Sequence, residues 1–193
     1  MRTSLICIAA AVLLSALACG GRPADGPPSR QLVITGSSTV APLISEMAQR
    51  FEAENPGVRI DIQTGGSSRG LSDVRQGLAD IGMVSRSPRS GEDDMQWFPV
   101  AKDGLAVIVH GSNPVDALDE AQVKSIYRGD VTDWSEVGGP AAPVTVVSKA
   151  EGRSTLEVFL RHFDLASPDI RASVIIGDNQ QGLKTVAGNP DAI

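Results

Sequence analysis

The chain has 193 residues, enough for one large domain or two small domains with a buried core. Apolar residues make up 41% and charged residues 21%, which indicates neither a disordered chain nor a membrane bundle. The formal net charge of −6 disfavours a general binder of nucleic acid or of acidic membranes, because such proteins are usually basic. An anionic ligand would therefore have to be small and enclosed, held by local dipoles and a few cations.

Residues 1–18 predict an export signal. Arg2 gives a short positive start, and residues 5–17 form an apolar stretch that is too short to span a bilayer comfortably. The stretch ends in Ser-Ala-Leu-Ala-Cys-Gly, which resembles a bacterial lipoprotein signal and implies cleavage before Cys19 with lipid attachment to that cysteine. The alternative is an ordinary secretory signal cut at Ala18 or a little beyond, which would leave a free thiol.

The stretch that follows, residues 19–30, predicts a flexible tether because it is rich in Gly and Pro. It would hold a folded domain a short distance from a membrane. Cys7 lies inside the signal, so Cys19 is the one cysteine left after cleavage and no internal disulfide can form.

From Leu32 onward, short β-like runs alternate with helical patterns. Strands are predicted at 32–34, 58–63 and 81–84, with another beginning at 97–100, and helices from about 42 to 54 and from about 67 to 77. This order predicts a mostly parallel sheet with helices on its faces.

The alternation begins again after Gly104. Residues 105–110 give the strongest strand pattern in the chain, followed by a helix at 119–127 capped by Asp119, a strand at 144–147, a helix at 155–163, a strand at 172–176 and a short helix at 181–187. We therefore expect an α/β fold of two lobes, lobe I (31–104) and lobe II (105–193). Residues 189–193 lack a polar tail and lobe II is short of strands, so we expect lobe II to be truncated, with a complete small protein as the alternative.

Three Gly/Ser/Thr loops each lie just before a predicted helix, at 35–39 (TGSST), 64–70 (TGGSSRG) and 151–155 (EGRST). A strand that leads through such a loop into a helix leaves backbone N–H groups unpaired at the positive end of the helix dipole, which favours an oxyanion. The alternative for each loop is that Ser38, Ser68 or Ser154 simply caps its helix. The three loops together predict an anion-binding cleft.

The ordered series of motifs resembles the phosphate-binding component of bacterial phosphate ABC transporters, a family of type II periplasmic binding proteins. The matching segments are 36–42, 65–70, 79–86, 123–129 with 133–134, 152–155 and 188–193. The resemblance implies two lobes that close about a hinge near 104–105 on one dehydrated phosphate. It also implies an ABC permease as partner and no cofactor or metal.

The resemblance further implies which residues bind phosphate. Carried over position by position, they are Ser38, Thr39, Ser67 or Ser68, Ser154 and Thr155. Ser85, Arg86 and Arg153 are further candidates where this chain departs from the family, because the two arginines would offset by charge an arginine that the family carries elsewhere. The best-known members carry an Asp after the third strand, which accepts a hydrogen bond from protonated phosphate, whereas this chain has Ser85-Arg86-Ser87 there. They also carry an Arg before the second-lobe loop, whereas this chain has Lys149. These departures leave the choice between phosphate and sulfate open.

The expected function is that of an exported, membrane-anchored lipoprotein that captures inorganic phosphate and delivers it to a permease on the periplasmic or outer side of a bacterial membrane. Alternatives are a binding protein for sulfate or molybdate and a phosphate sensor without a transport role. An enzyme is disfavoured because the sequence has no Ser-His-Asp spacing, P-loop lysine motif or metal-ligand cluster. The acidic run 92–94 is expected to be a solvated turn, and Trp134 a packing residue.

Overall fold

The computed structural model describes residues 30–193. The predicted signal, the proposed lipid-attachment residue Cys19 and the predicted tether up to residue 29 lie outside the described residues. Within residues 30–193, no helix combines the length and the apolar character needed to cross a bilayer.

Lobe I is built on a three-stranded parallel sheet in the order β2-β1-β3. Its elements, in chain order, are β1 (Arg30–Gly36), α1 (Ala41–Glu54), β2 (Val58–Thr64), α2 (Ser67–Arg75) and β3 (Ile81–Met83). Gly36 pairs with both Thr64 and Met83, so the three strands end at one edge of the sheet. The predicted strands and helices between residues 32 and 84 are confirmed with small shifts at their ends, and the loops that follow β1, β2 and β3 are brought together.

Helix α2 lies very close to the sheet because Gly70 has no side chain. A Cβ atom at this position would lie 2.8 Å from the Thr35 carbonyl oxygen and 3.1 Å from that of Met83. The close approach sets the N terminus of α2 directly over the carboxyl ends of β1 and β3.

Lobe II contains three helices and a two-stranded parallel sheet. Its elements are α3 (Glu120–Arg128), β4 (Val147–Lys149), α4 (Ser154–His162), β5 (Val174–Ile176) and α5 (Asn179–Ala187), with 3₁₀ turns at Trp134–Val137 and Ser167–Asp169. The predicted cap of α3 is confirmed: the Asp119 carboxylate accepts a 2.8 Å hydrogen bond from the Gln122 backbone N–H, and the Gln122 side-chain oxygen accepts one of 2.9 Å from the Asp119 backbone N–H.

The core of lobe II is centred on Trp134 and Ile126, both fully buried. Val123, Tyr127, Val146, Phe159 and Ile193 complete this cluster. The Trp134 indole N–H donates a 3.0 Å hydrogen bond to the Asp191 carbonyl oxygen, which satisfies its one polar atom. Trp134 is therefore a packing residue, as predicted.

Two predicted strands are wrong. Residues 97–100 and 105–110 form neither helix nor strand, and Leu105, Val107 and Ile108 are exposed. An apolar run becomes a strand only where a neighbouring strand pairs with its backbone groups. In lobe II, β4 pairs with β5 and not with residues 105–110. The predicted strand at 144–147 is displaced for a related reason, because pairing with β5 begins only at Val147.

Candidate functional site

The carboxyl edge of the first sheet carries a cluster of buried hydroxyl groups. Ser37 and Ser67 are 3% and 0% exposed. The Ser37 hydroxyl donates a 2.8 Å hydrogen bond to that of Ser85, and the Ser85 amide donates one of 3.3 Å to the Ser67 hydroxyl. The Thr39 amide donates to the Ser37 hydroxyl at 3.1 Å. The three loops of lobe I are thereby joined into one polar surface at the ends of the strands.

The helices that begin at this surface have no side-chain caps. The N-cap residues of α1, α2 and α4 are Val40, Gly66 and Arg153, and none accepts a capping hydrogen bond through its side chain. The alternative that Ser38, Ser68 and Ser154 act as N-caps is therefore wrong. The positive ends of these helix dipoles are not neutralised by caps and remain suited to an anion.

Ser154 is the clearest unsatisfied donor at the site. The residue is 2% exposed, it opens helix α4, and its hydroxyl has no hydrogen-bond partner within residues 30–193. A buried hydroxyl without a partner costs stability. It therefore indicates a position where a ligand can supply the missing acceptor.

Lobe II meets lobe I through a side-chain amide. Asn179, the first residue of α5, donates a 3.1 Å hydrogen bond from Nδ2 to the Thr39 hydroxyl, and its Oδ1 accepts one of 2.8 Å from Lys149 Nζ. Close by, the Ser68 amide donates to the Gly152 carbonyl oxygen at 3.3 Å. These contacts bring the N termini of α2, α4 and α5 to a common cleft.

Two cations of lobe II border this cleft. Burial is the main cause that lowers the pKa of Lys149 from its ordinary value; the charge of Arg153 lowers it further and Asp178 opposes both. Arg153 runs along Gly66 of lobe I, with Cδ 2.8 Å from where a Cβ atom at that glycine would lie. Neither cation lies within 4.0 Å of a carboxylate in the described part of the chain. Both can thus offset the charge of an anion.

A cavity of about 400 Å³ opens beside these groups. Its polar lining residues include Thr39, Ser85, Lys149, Thr155 and Asn179. Its apolar lining comes from side chains of lobe II such as Tyr127 and Phe159 and from residues 105–108.

Arg86 lies beside the cleft with its guanidinium already bound. Its side chain is 3% exposed and donates hydrogen bonds of 2.9 and 2.6 Å to the two oxygens of Glu92. These bonds hold the pKa of the Glu92 carboxyl down at about 2. The prediction that 92–94 forms a solvated turn is wrong for Glu92, which is 9% exposed, because the neighbouring arginine supplies a partner that water would otherwise supply.

Most of the predicted phosphate-binding residues lie together. Thr39, Ser67, Ser85 and Thr155 border the hydroxyl cluster or the cavity, Ser154 opens helix α4 next to Thr155, and Arg153 spans the cleft. Ser38 is half-buried in the loop after β1. Ser68 has an exposed side chain and meets lobe II through its amide.

Sequence reasoning missed Ser37 and Asn179. The signal for Asn179 was a further strand-to-helix junction, between β5 and α5, that lacks the Gly/Ser composition of the other loops.

Comparison with known proteins gives one family. The model of the PBP superfamily domain matches residues 22–193. The phosphate-binding protein PstS of Bacillus subtilis is 31% identical over 206 residues, covering 98% of this chain and 68% of that protein. PstS 2 of Streptococcus pneumoniae is 36% identical over 111 residues, covering 56% of this chain and 38% of that protein.

Solved structures agree with this grouping. A putative phosphate ABC transporter substrate-binding protein of Clostridium perfringens with bound phosphate is 33% identical with a TM-score of 0.80, covering 84% of this chain and 68% of that one. An ABC-type phosphate transport receptor of Vibrio cholerae is 30% identical with a TM-score of 0.65, covering 83% and 68%. This chain belongs to the PBP superfamily and, within it, to the phosphate-binding proteins of bacterial phosphate ABC transporters.

Proposed function

We propose that this chain captures inorganic phosphate between its two lobes and delivers it to an ABC permease, as an extracytoplasmic lipoprotein anchored through Cys19. The observation that carries the proposal is the buried Ser154 hydroxyl, which has no hydrogen-bond partner within residues 30–193 and lies at an uncapped helix N terminus whose preceding loop meets the Ser68 amide of lobe I. Phosphate, named as the ligand of the relatives, supports the same ligand here.

In the proposed complex, neutral donors surround a dehydrated phosphate. From lobe I come the Ser38 amide and the hydroxyls of Ser38, Thr39, Ser67, Ser68 and Ser85. From lobe II come Ser154 and Thr155, with Arg153 and Lys149 adding positive charge. Micromolar affinity needs about 8 kcal/mol. A handful of charge-assisted hydrogen bonds at roughly 1.5–3 kcal/mol each supplies that after the cost of closure.

The proposed cycle uses the two lobes in turn. Lobe I carries hydroxyls that are already connected to one another, so it receives the anion first. Lobe II then swings in and adds Ser154 and Thr155. The closed form docks on the permease, which releases phosphate with ATP hydrolysed elsewhere. The lipid anchor keeps the carrier near that permease.

Calorimetric titration of the purified protein with phosphate and, separately, with sulfate near neutral pH tests the ligand. Phosphate binding without sulfate heat supports the proposal and shows that the Ser85-Arg86 loop serves where other members carry Asp. Binding of both anions makes the protein a general oxyanion receptor. No heat from either anion, with circular dichroism showing a folded protein, overturns the proposal.

The anchor has its own test. Expression in a bacterial host with radiolabelled palmitate should label the protein, and Cys19→Ser should abolish the label. A wild-type protein that is exported without label would show that the signal is an ordinary secretory one.

A further inference from the structure

Four ionised side chains meet where the loop after β3 packs against helix α4. Arg86, Arg89 and Glu92 belong to that loop of lobe I, and Glu157 belongs to α4 of lobe II. Glu157 Oε2 lies 2.9 Å from Arg86 Nε and 2.7 Å from Arg89 Nη2. Two positive and two negative groups therefore form a neutral cluster that crosses from one lobe to the other.

The contact at the centre of this cluster is shielded from water. The Arg86 side chain is 3% exposed and that of Glu157 is 18% exposed, whereas Arg89 is 48% exposed. The Arg86–Glu157 contact lacks hydrogen-bond alignment, so it acts mainly through charge. Attraction between charges is stronger where water is excluded, and removal of one partner leaves the other buried without compensation.

Each side of the cluster is attached to the anion site. Arg86 directly follows Ser85, whose hydroxyl and amide belong to the hydroxyl cluster. Glu157 follows Ser154 by three residues, which places it on the same face of α4 and about 4.5 Å further along the helix axis. A force that holds Glu157 against lobe I therefore also holds Ser154 towards the cleft.

We propose that Glu157 is a positioning residue of the phosphate site. By binding Arg86 and Arg89 across the cleft, in a contact that we call the clasp, it holds the lobes together and presents the first turn of α4 to the anion. This inference rests on the proposed function, and it gives Arg86 a role in the clasp in place of direct contact with phosphate. The ligand and the clasp both favour the closed lobes. The apparent affinity for phosphate therefore depends on the fraction of molecules that the clasp keeps closed.

Measurement of the phosphate dissociation rate of Glu157→Gln tests the clasp. The substitution keeps the size of the side chain and removes its charge. Dissociation should become about tenfold faster or more, while association changes by less than about threefold, because loss of a buried charge partner acts mainly on release. Glu46→Gln is the matched control, since Glu46 forms an exposed pair with Arg50 within α1. A wild-type dissociation rate in Glu157→Gln would overturn the proposal.

A second variant separates the clasp from simple support of lobe II. Arg89→Gln removes the half-exposed partner and leaves the Arg86–Glu92 pair in place. It should raise the dissociation rate less than Glu157→Gln does, and the double variant should be no faster than Glu157→Gln alone, because both changes remove the same contact. Rate increases that multiply in the double variant would contradict a shared contact.

Hydrogen exchange tests the clasp without phosphate. The Ser68 amide is bonded to Gly152 across the cleft, so its exchange reports whether the lobes touch. Exchange in a peptide covering residues 64–71 should be faster in Glu157→Gln than in the wild type. If the wild type binds no phosphate, the proposed function fails and a faster exchange still supports the clasp. Unchanged exchange, like an unchanged dissociation rate, would overturn it.

Discussion

The Asn179 amide donates a hydrogen bond of 3.1 Å to the Thr39 hydroxyl, across 140 positions of the chain and from one lobe to the other. The same side chain accepts a hydrogen bond from Lys149. One amide thus links the loop after β1, the end of β4 and the start of α5. A substitution at Asn179 should therefore affect both the contact between the lobes and the charge around Lys149.

Asn179→Asp should weaken phosphate binding by about tenfold or more, because it places a negative charge beside the proposed anion and neutralises Lys149. Calorimetric titration measures the change. Gln180→Glu is the matched control: it adds the same charge one residue along the first turn of α5, where the side chain is exposed. The helix dipole favours an acidic residue at either position, so stability should not fall in either variant. Equal phosphate affinities in the two variants would show that Asn179 is not part of the phosphate site.

Ser154→Ala should separate binding from stability. Among the described residues, 30–193, the buried wild-type hydroxyl has no hydrogen-bond partner, so its removal should leave the melting temperature of the unliganded protein unchanged or slightly higher. Phosphate affinity should fall by about tenfold, the value of one charge-assisted hydrogen bond. Thermal melting and calorimetry on the same preparation test both effects. Ser173→Ala, at an exposed serine before β5, is the control and should change neither.

Glu92→Gln should make the free energy of unfolding depend less on pH in the acidic range. The pKa of the Glu92 carboxyl in the folded protein is about 2, mainly because Arg86 donates hydrogen bonds to it, compared with an ordinary value of 4.5. The ionised form is therefore favoured by folding; its contribution is complete above pH 4.5 and disappears as the pH falls to about 2.

At pH 7, Glu92→Gln should lower the free energy of unfolding by about 2 kcal/mol, since Arg86 keeps Glu157 as a partner. Urea unfolding at several pH values should show the difference from the wild type narrowing below pH 4.5. Asp94→Asn is the control, because the Asp94–Arg75 pair is exposed and should matter little. A difference between Glu92→Gln and the wild type that stays constant down to pH 2 would contradict the ionised pair.

Tyr127 should titrate at unusually high pH. Burial raises the pKa of its phenol to about 12, from an ordinary value of 10. The neutral form is favoured by folding, so this group destabilises the protein as the pH rises above 10. The chain has one tyrosine, which makes the tyrosinate absorbance specific to it. Tyr127→Phe keeps the ring packed against Phe159 and should reduce the loss of stability at alkaline pH. If the Tyr127 phenol of the folded wild type titrates near pH 10, it is accessible to water and the prediction is wrong.

Local sequence patterns predicted most of the fold for physical reasons. A short apolar run identified β1, alternating apolar residues identified β2, and the Asp119 cap identified the start of α3, because these signals depend on near neighbours. The run at 105–110 misled because strand formation depends on a partner elsewhere in the chain. The same limit applies to the site. The pairing of Arg86 with Glu157 and the contact of Asn179 with Thr39 join residues far apart in sequence, which no local pattern encodes.

The absence of a side chain at Gly70 also limits how the pocket can be redesigned. A methyl group there would meet main-chain atoms of Thr35, Gly36 and Met83, which cannot rotate away. It would lift α2 and shift Ser67, which lies one turn earlier on the same helix. A library that alters anion preference should therefore vary the side chains that line the cleft and keep Gly70 fixed in every member. In a Gly70→Ala background, a change of anion specificity could not be distinguished from the effect of a displaced α2.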